Sequence, residues 1–436
     1  MALKFPDGFY WGCATSSHQV EGNNRNNQWW AWEQEGGNIK DGTVSGLACD
    51  HYNRFEEDFA LAEELGHNAH RFSIEWSRIE PEEGRWDEKE VEHYRRVMDS
   101  LHRHSLTPFV TLHHFTNPLW FEARGGWLNP EAPALIARYA GYMAEALGDA
   151  VPFWLTINEP SVIAAASYLA GVFPPQKQDL ALAMTAARHV LIAHGKMYHA
   201  IREAAPHSPR IGPVLNMIDV QAASQEDADR QAAQLMDTYW NAFWLNGIRD
   251  GVIGPPAGGG DEAPGLKGTW DFIGLNNYSR AVVGAGPPPM GIRQVPPSPG
   301  AETSTMGWEV YPEGFYRVQV RLKPFGKPVY ITENGIGTDD DEQRCSFIIR
   351  SLKQVRRAMD DGVDVRGYLH WSFQHNFEWA EGFRQKFGLI ALEEGTRNRI
   401  VRPSAHMFRD IAKANVVSDE LLSRWGDQRT LDTPAL

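Results

Sequence analysis

Two glutamates have the setting of chemically active carboxylates. Glu159 follows the apolar run VPFWL in VPFWLTINEP, and Glu333 ends the similar run in KPVYITENG. A carboxylate at the end of a buried strand is costly unless it is paired, hydrogen-bonded or used in a reaction. Each glutamate also has an asparagine beside it, Asn158 and Asn334. Two such carboxylates in one pocket can have different chemical roles, since one can stay protonated and act as an acid while the other is ionised.

Eight short runs of strand character are separated by stretches with helical periodicity. We predict strands at 9–16, 68–76, 107–114, 151–159, 210–218, 272–279, 327–334 and 365–373. In the helix predicted after the first strand, Phe55, Phe59, Ala62 and Leu65 form one apolar stripe. Eight alternating units favour an α/β fold with a single (β/α)8 TIM barrel over residues 1–436, rather than a doubly wound sheet.

Two stretches rich in proline and glycine interrupt this alternation. Residues 254–268 precede the sixth predicted strand, and residues 284–300 follow it. Neither is expected to form a helix or a central strand. The second lies on the face where barrel enzymes keep their active sites, so it is either a rim over a pocket or a surface insertion without a role.

In a barrel, the carboxyl ends of the strands surround one cavity, and the active site is expected there. The residues that we place at this rim are Gln19, Glu21, Arg71, His114, Asn158, Glu159, Asn276, Tyr278, Glu333, Trp371, Glu378 and Trp379. A single strand-end carboxylate is often only an ion-pair partner, and we interpret Glu75 as the structural partner of an arginine. So many hydrogen-bonding and aromatic groups at one rim are harder to explain by packing alone.

The composition of this rim indicates a reaction class. Paired carboxylates with amide, histidine, tyrosine and tryptophan neighbours are the groups that glycoside hydrolysis uses. One carboxylic acid gives a proton to the leaving oxygen, and one carboxylate attacks or stabilises the sugar cation. The chain has 16 Trp, several beside polar clusters, and flat amphipathic rings suit the faces of sugars as well as core packing.

These motifs resemble glycoside hydrolase family 1, the retaining β-glucosidases and β-galactosidases. The resemblance is carried by FYWGCATSSHQVEG, TINEP, ITENG, and WSFQHNFEWAEGF followed by FGL, in the family's order. It implies an exo-acting β-glycosidase that removes terminal non-reducing β-D-glucosyl, galactosyl or fucosyl residues. It further implies double displacement through a covalent glycosyl-enzyme.

The resemblance also implies residue roles. Glu159 would be the general acid/base and Glu333 the nucleophile, with Arg71, Asn276 and Tyr278 supporting Glu333. The residues implied to bind the sugar in the first subsite are Gln19, His114, Asn158, Trp371, Glu378, Trp379 and Phe387, with Trp371 stacked beneath the ring and Phe387 closing the pocket.

The chain departs from the family pattern at a few positions near the site. Phe115 and Thr116 stand where the family often has Trp-Asp, and His375 stands where it usually has Asp. The family's Asn-Tyr-Tyr is here Asn276-Asn277-Tyr278. These departures leave the glucose, galactose or fucose preference and the aglycone open.

Three alternatives are less well matched. A 6-phospho-β-glycosidase of the family would carry a small residue at Glu378 and Lys and Tyr at Gln385 and Phe387. A catalytically inactive sugar-binding barrel would be expected to lose Glu159 or Glu333. A thioglucosidase would carry Gln in place of Glu159.

Bulk properties exclude several classes of partner. The net charge of −14, without a Lys/Arg cluster, argues against nucleic acid or an anionic membrane. The start MALKFPDGFYWG lacks the apolar core of a signal peptide, so we expect a cytoplasmic protein. Cys13, Cys49 and Cys345 are far apart, which suits a reducing compartment. Without HExxH, a phosphate loop or GxGxxG, no metal or cofactor is expected; the oligomeric state is open.

Overall fold

The computed structural model describes residues 1–288 and 290–427. Pro289, within the predicted loop 284–300, and residues 428–436, at the end of the predicted domain, lie outside the described residues. Eight parallel strands close a barrel in chain order, which confirms the predicted TIM barrel. They are β1 Tyr10–Ala14, β2 Ala69–Ser73, β3 Thr107–His113, β4 Phe153–Asn158, β5 Arg210–Asn216, β6 Ile273–Asn276, β7 Val329–Asn334 and β8 Val365–Trp371, each within its predicted range.

A helix follows each strand and covers the outside of the barrel. These are α1 His51–Glu64, α2 Glu88–Arg103, α3 Ala132–Leu147, α4 Leu180–Ala204, α5 (consecutive segments Asp227–Asp237, Thr238–Ala242 and Phe243–Asp250), α6 Pro312–Leu322, α7 Asp341–Asp360 and α8 Pro403–Ala414. The stripe Phe55, Phe59 and Ala62 of α1 is buried, as its periodicity predicts. In α2, the side chain of Asp87 accepts from the Lys89 N–H, and acids at the start oppose bases at the end, matching the helix dipole.

Shorter elements connect these units. The short helical turns are Ser17–Val20, Gln28–Gln34, Trp76–Ile79, Leu119–Ala123, Gly126–Leu128, Gly148–Ala150, Pro160–Val162, Ile163–Leu169, Lys323–Phe325, Trp379–Glu381 and Asp419–Trp425. Two two-stranded ladders pair Leu3–Lys4 with Val416–Val417 and Ile390–Leu392 with Arg399–Val401. No helix in the described ranges is long and apolar enough to cross a membrane.

The two Pro/Gly-rich stretches contain small ladders. Asp261–Glu262, in 254–268, pairs with Val252–Ile253. Ile292–Val295, in 284–300, is the edge of a three-stranded sheet whose middle strand is Arg280–Ala285 and whose other edge is Asp219–Ala222. Only the last two residues of the middle strand, Gly284 and Ala285, lie within 284–300. These two residues pair with Ile292–Val295 and not with Asp219–Ala222. The stretch therefore contributes a sheet edge beyond the carboxyl ends of β5 and β6.

Aromatic side chains fill the amino end of the barrel. Phe109, Phe153, Phe272 and Tyr330 form one buried cluster, with Tyr10 packed against it. The rings of Phe109 and Phe153 stack with centroids 4.2 Å apart. This end of the lumen is therefore a packed core, as expected for a barrel of eight strands.

Candidate active site

The two glutamates lie at the carboxyl ends of β4 and β7. Glu159 directly follows β4 and is 6% exposed, while Glu333 is the penultimate residue of β7 and is 3% exposed. The strand register shifts between Leu155 and Asn158 and between Ile331 and Asn334. Such irregularities re-aim side chains, so β7 can turn both Tyr330 and Glu333 inward although they are three residues apart.

The backbone at Glu159 is in the left-handed region, with φ 47°. This region is sparsely populated by residues other than glycine, and strain of this kind persists only where neighbouring structure holds it. Here the Glu159 N–H donates to the carbonyl of Val214 in β5, at 2.9 Å. The turn thus fixes where the carboxylate enters the cavity.

Glu333 is held by a guanidinium and a phenol. Arg71, fully buried in β2, donates from Nη1 to one carboxylate oxygen. The Tyr278 hydroxyl donates to the other at 2.5 Å. Burial, with the negative charges of Glu333 and Glu159, holds the pKa of Tyr278 well above its usual range, so the phenol keeps the proton that it donates. The structure therefore places Arg71 and Tyr278, two of the three predicted supports, on the predicted nucleophile.

Asn276 contacts a different carboxylate from the one expected. Its Nδ2 donates to Glu159 Oε1 at 2.9 Å and to Asn158 Oδ1 at 3.2 Å, and its Oδ1 accepts from Thr332 Oγ1 at 2.7 Å. We predicted that Asn276 supports Glu333, whereas in the structure its amide binds Glu159. The reason is a register shift between Leu275 and Asn276 where β6 meets β7, which turns the amide toward β4.

Asn216, the last residue of β5, was missed by the sequence analysis. Its Nδ2 donates to Glu159 Oε1 at 3.0 Å, so two amides converge on one oxygen. The sequence could have indicated Asn216, because β5 was the strand for which we had predicted no residue at the rim.

The protonation of the site follows from this crowding. Burial, and then repulsion from Glu333, raises the pKa of Glu159 to about 8. Burial, and then the charges of Glu333 and Glu159, raises the pKa of Glu378 to about 8 as well. A protonated carboxyl can therefore sit beside an ionised one at neutral pH, which is the arrangement that acid-assisted displacement needs.

Gln19 and Glu378 meet on one side of the cavity. Gln19 Nε2 donates to Glu378 Oε2 at 3.2 Å and to the Phe377 carbonyl at 2.8 Å. Ser16 Oγ donates to Gln19 Oε1 at 2.7 Å, which fixes the orientation of the amide. These two predicted sugar-binding residues thus form one polar edge.

His114 and Asn158 form another polar edge. Asn158 Nδ2 lies 3.2 Å from His114 Nε2, and Asn158 Oδ1 accepts from Arg71 Nη2 at 2.6 Å. The His114 ring lies nearly parallel to Trp371, with centroids 5.8 Å apart, and to Trp379, at 6.0 Å. The Asn158 amide is therefore hydrogen-bonded to the Arg71 guanidinium, which also binds Glu333.

Phe387 closes the aromatic lining. It packs with Ala14 and Trp371, and its ring centroid is 6.0 Å from that of Tyr278. Trp308 packs on both Tyr278 and Phe387, with centroids 5.5 and 6.4 Å away, and is 38% exposed. Sequence reasoning missed Trp308, whose exposed ring beside two cavity residues suits contact with a second sugar or other leaving group.

Glu75 does not have the arginine partner that we predicted. Its carboxylate accepts from Ser17 Oγ at 3.0 Å, Thr116 Oγ1 at 3.0 Å and Ser77 Oγ at 2.7 Å. No ion pair of Glu75 is found in the part of the chain that the structure describes. Three hydroxyls can satisfy a buried carboxylate as well as a cation can, and their positions in sequence gave no sign of it.

Glu21, which we placed at the rim, is engaged in an ion pair. It accepts from Arg78 Nε at 3.0 Å and from the Tyr94 hydroxyl at 2.6 Å.

Two further features concern metals and thiols. Within 1–288 and 290–427, no group of three or more His, Cys, Asp or Glu side chains is arranged to hold a metal ion. Cys13, Cys49 and Cys345 are free and buried.

Comparison with known proteins identifies the family. The family model described as Glycosyl hydrolase family 1 matches residues 1–417. A 1,4-beta-D-glucan glucohydrolase from Thermotoga neapolitana is 35% identical, over 95% of this chain and 100% of the relative. A beta-glycosidase from Pyrococcus horikoshii has a similar structure, with a TM-score of 0.91 and 39% identity, covering 99% of this chain and 100% of that one.

A beta-glucosidase from Thermotoga maritima in complex with deoxynojirimycin is also similar, with a TM-score of 0.90 and 35% identity, covering 95% of this chain and 99% of that one. Relatives named as a glucohydrolase, a beta-glycosidase and a beta-glucosidase therefore cover 95–99% of this chain, and the chain belongs to glycosyl hydrolase family 1 as a glycoside hydrolase.

Proposed function

We propose that this protein is a retaining, exo-acting β-glycosidase that releases terminal β-D-glucosyl, galactosyl or fucosyl residues. The observation that carries the proposal is the pairing of Glu159, whose pKa is raised to about 8, with Glu333, which is held by Arg71 and Tyr278. One carboxyl can donate a proton while the other attacks.

In the first step, Glu333 attacks the anomeric carbon and the bond to the leaving oxygen breaks as Glu159 gives that oxygen its proton. The product is a glycosyl ester of Glu333, which carries no charge. The repulsion that raises the pKa of Glu159 then disappears. In the second step, ionised Glu159 takes a proton from water, the hydroxide attacks the same carbon, and Glu333 leaves as a carboxylate. Two inversions give net retention.

The sugar would be held by the two polar edges of the cavity. Gln19 and Glu378 supply one edge, and His114 and Asn158 the other, with Trp371 as a stacking face. Asn158 is fixed by Arg71, so it can present its amide to a hydroxyl next to the reacting carbon, a contact that strengthens as charge develops. Glu378 stands where a small residue would be expected in a 6-phospho-β-glycosidase, which disfavours a 6-phosphorylated sugar as the substrate.

The test is a panel of p-nitrophenyl β- and α-glycosides together with NMR of the first sugar formed. We expect release of nitrophenol from the β-glucoside, β-galactoside or β-fucoside and a β-anomer before mutarotation. An α-anomer first, or a preference for α-glycosides, would overturn the retaining assignment. In a crystal structure the two carboxyl groups should lie about 5–5.5 Å apart, and a separation near 9 Å would favour inversion.

We further propose that the reaction needs no metal or cofactor and that the protein acts in the cytoplasm without nucleic acid or membrane. Prolonged EDTA treatment followed by gel filtration should leave kcat unchanged. A loss restored by a divalent ion would contradict the metal-free mechanism.

A further inference from the structure

A buried histidine–carboxylate pair lies behind the predicted sugar-binding residues. His18 Nε2 is 2.7 Å from Glu33 Oε1, and neither side chain is exposed. The other oxygen of Glu33 accepts from the Ser45 N–H at 2.5 Å. The mechanism proposed above does not use this pair, so its burial calls for another explanation.

The hydrogen bonds around His18 fix its tautomer. Asn27 Oδ1 accepts from the Trp30 N–H at 2.9 Å, and Asn27 Nδ2 donates to the Asn24 carbonyl at 3.1 Å, so the orientation of this amide is set. The same Nδ2 lies 3.2 Å from His18 Nδ1. Nδ1 must then accept, and the proton must be on Nε2, where it is donated to Glu33. The imidazole is thus held by hydrogen bonds at both nitrogens.

The face of this ring packs against a predicted sugar-binding residue. His18 and Trp379 lie with centroids 5.9 Å apart and planes at 12°. Trp379 itself has φ 53°, an unfavourable backbone conformation for an aromatic residue. Contacts around the indole must compensate for this strain, and Trp29 also packs on it, with centroids 4.7 Å apart. His18 is also the sequence neighbour of Gln19, which contacts Glu378.

We propose that the His18–Glu33 pair is a positioning unit for the reaction. It locks the imidazole that supports Trp379, and so orients the indole toward the sugar and the adjacent Gln19 toward Glu378. This inference rests on the proposed β-glycosidase function. The pair does not touch the reacting atoms and acts through Trp379.

The first test compares kcat and KM of full-length His18→Phe and Glu33→Gln on p-nitrophenyl β-glucoside. Phenylalanine keeps a flat ring but loses both nitrogens, and glutamine cannot accept from both His18 and Ser45 in the same way. We expect kcat/KM to fall about 10- to 100-fold, mainly in kcat, because a small misplacement of a positioning group is felt most in the transition state. The affinity for deoxynojirimycin, measured by calorimetry, should weaken as well.

The matched control is His51→Phe. His51 Nδ1 lies 2.7 Å from Asp58 Oδ2, so this variant also loses a buried histidine–carboxylate contact, but in α1 on the outside of the barrel. Its kcat at 25 °C should stay within about twofold of the wild type even if its melting temperature falls.

A double-variant cycle with Trp379→Phe provides the decisive readout. If His18 acts through Trp379, adding His18→Phe to Trp379→Phe should cost less than about threefold further. Losses that multiply would overturn the proposal, as would a His18→Phe enzyme with wild-type kinetics or the unfolding of both pair variants. A wild type that is inert on every β-glycoside would instead refute the β-glycosidase function and this inference with it.

Discussion

The two ends of the barrel are built from the same strands but from opposite kinds of side chain. In β4, Phe153 lies in the aromatic cluster at the amino end and Asn158 lies at the carboxyl end. In β7, Tyr330 and Glu333 divide in the same way. The amino end is a close-packed set of rings, whereas the carboxyl end collects the carboxyl groups of Glu159, Glu333 and Glu378, of which Glu333 pairs with the Arg71 guanidinium.

The difference shows where stability is gained and where it is given up. Rings that stack in the lumen bury a large apolar area at little polar cost. At the other end, Phe115, Glu159 and Trp379 all have positive φ, and burial raises the pKa of both Glu159 and Glu378. Strain and suppressed ionisation lower stability but prepare the groups for reaction.

The largest expected effect is at the carboxyl end. Glu333→Ala removes the nucleophile, so kcat on every β-glycoside should fall about 10⁵-fold or more. Azide fits the vacated space below the ring and should restore turnover with an α-glycosyl azide as product. Mass spectrometry and NMR of that product check the assignment, and a β-azide would mean that the two glutamates are exchanged.

Glu159→Ala should be selective in its effect. Alkyl and sugar leaving groups need a proton, so their turnover should fall about 10²- to 10⁴-fold. A 2,4-dinitrophenyl glycoside needs no proton, so its first step should survive and the glycosyl-enzyme should accumulate. Stopped-flow bursts and intact-protein mass spectrometry measure this, with azide expected to give the β-product. Equal losses for good and poor leaving groups would contradict the acid role.

The opposite result is expected at the amino end. Phe153→Ala opens a cavity in the aromatic cluster and should lower the free energy of unfolding by about 3–5 kcal/mol. Since the active site is at the other end of the strand, kcat at 25 °C should remain within about twofold. Urea unfolding and p-nitrophenyl β-glucoside kinetics check both halves. A large loss of kcat in a folded Phe153→Ala protein would show that the two ends are coupled.

The smallest expected effect is a change in how stability depends on pH, caused by Glu159 at the carboxyl end of the barrel. The pKa of Glu159 is raised from 4.5 in a free chain to about 8 in the fold. Its contribution to stability is therefore fully present below pH 4.5 and is lost as pH rises through 8. Glu159→Gln removes this dependence, so relative to the wild type it should gain about 1 kcal/mol or more at pH 8 compared with pH 5, since one pKa unit is ~1.4 kcal/mol. Calorimetric unfolding at both pH values tests this, and an unchanged difference would refute it.

Sequence reasoning predicted the barrel and the strand-end positions of Glu159 and Glu333 because both leave local traces in the sequence. The alternation of strands and helices can be predicted from short-range periodicity. A glutamate that ends an apolar run, as Glu159 and Glu333 do, can be recognised without knowing which residues contact it. The expected carboxyl separation and the retaining outcome remain predictions.

Partners across the barrel were harder to predict. Asn276 and Asn216 both bind Glu159, but which carboxylate an amide reaches depends on register shifts that have no pattern in the sequence. Glu75 is bound by three hydroxyls instead of an arginine, and the positions of these hydroxyls in the sequence do not indicate the contact. His18 and Glu33 are 15 residues apart in two separate helical turns, so no local periodicity indicates their contact.

Arg71 connects parts of the chain that are far apart in sequence. Its guanidinium, on β2, contacts Thr111 in β3, Asn158 in β4 and Glu333 in β7, the last 262 residues away. Contacts of such sequence separation form late, because loop closure must come before they are rewarded. During refolding, catalytic activity should therefore return only after β2 and β7 meet across the closed barrel, and it should lag behind the recovery of helical signal from units that form locally.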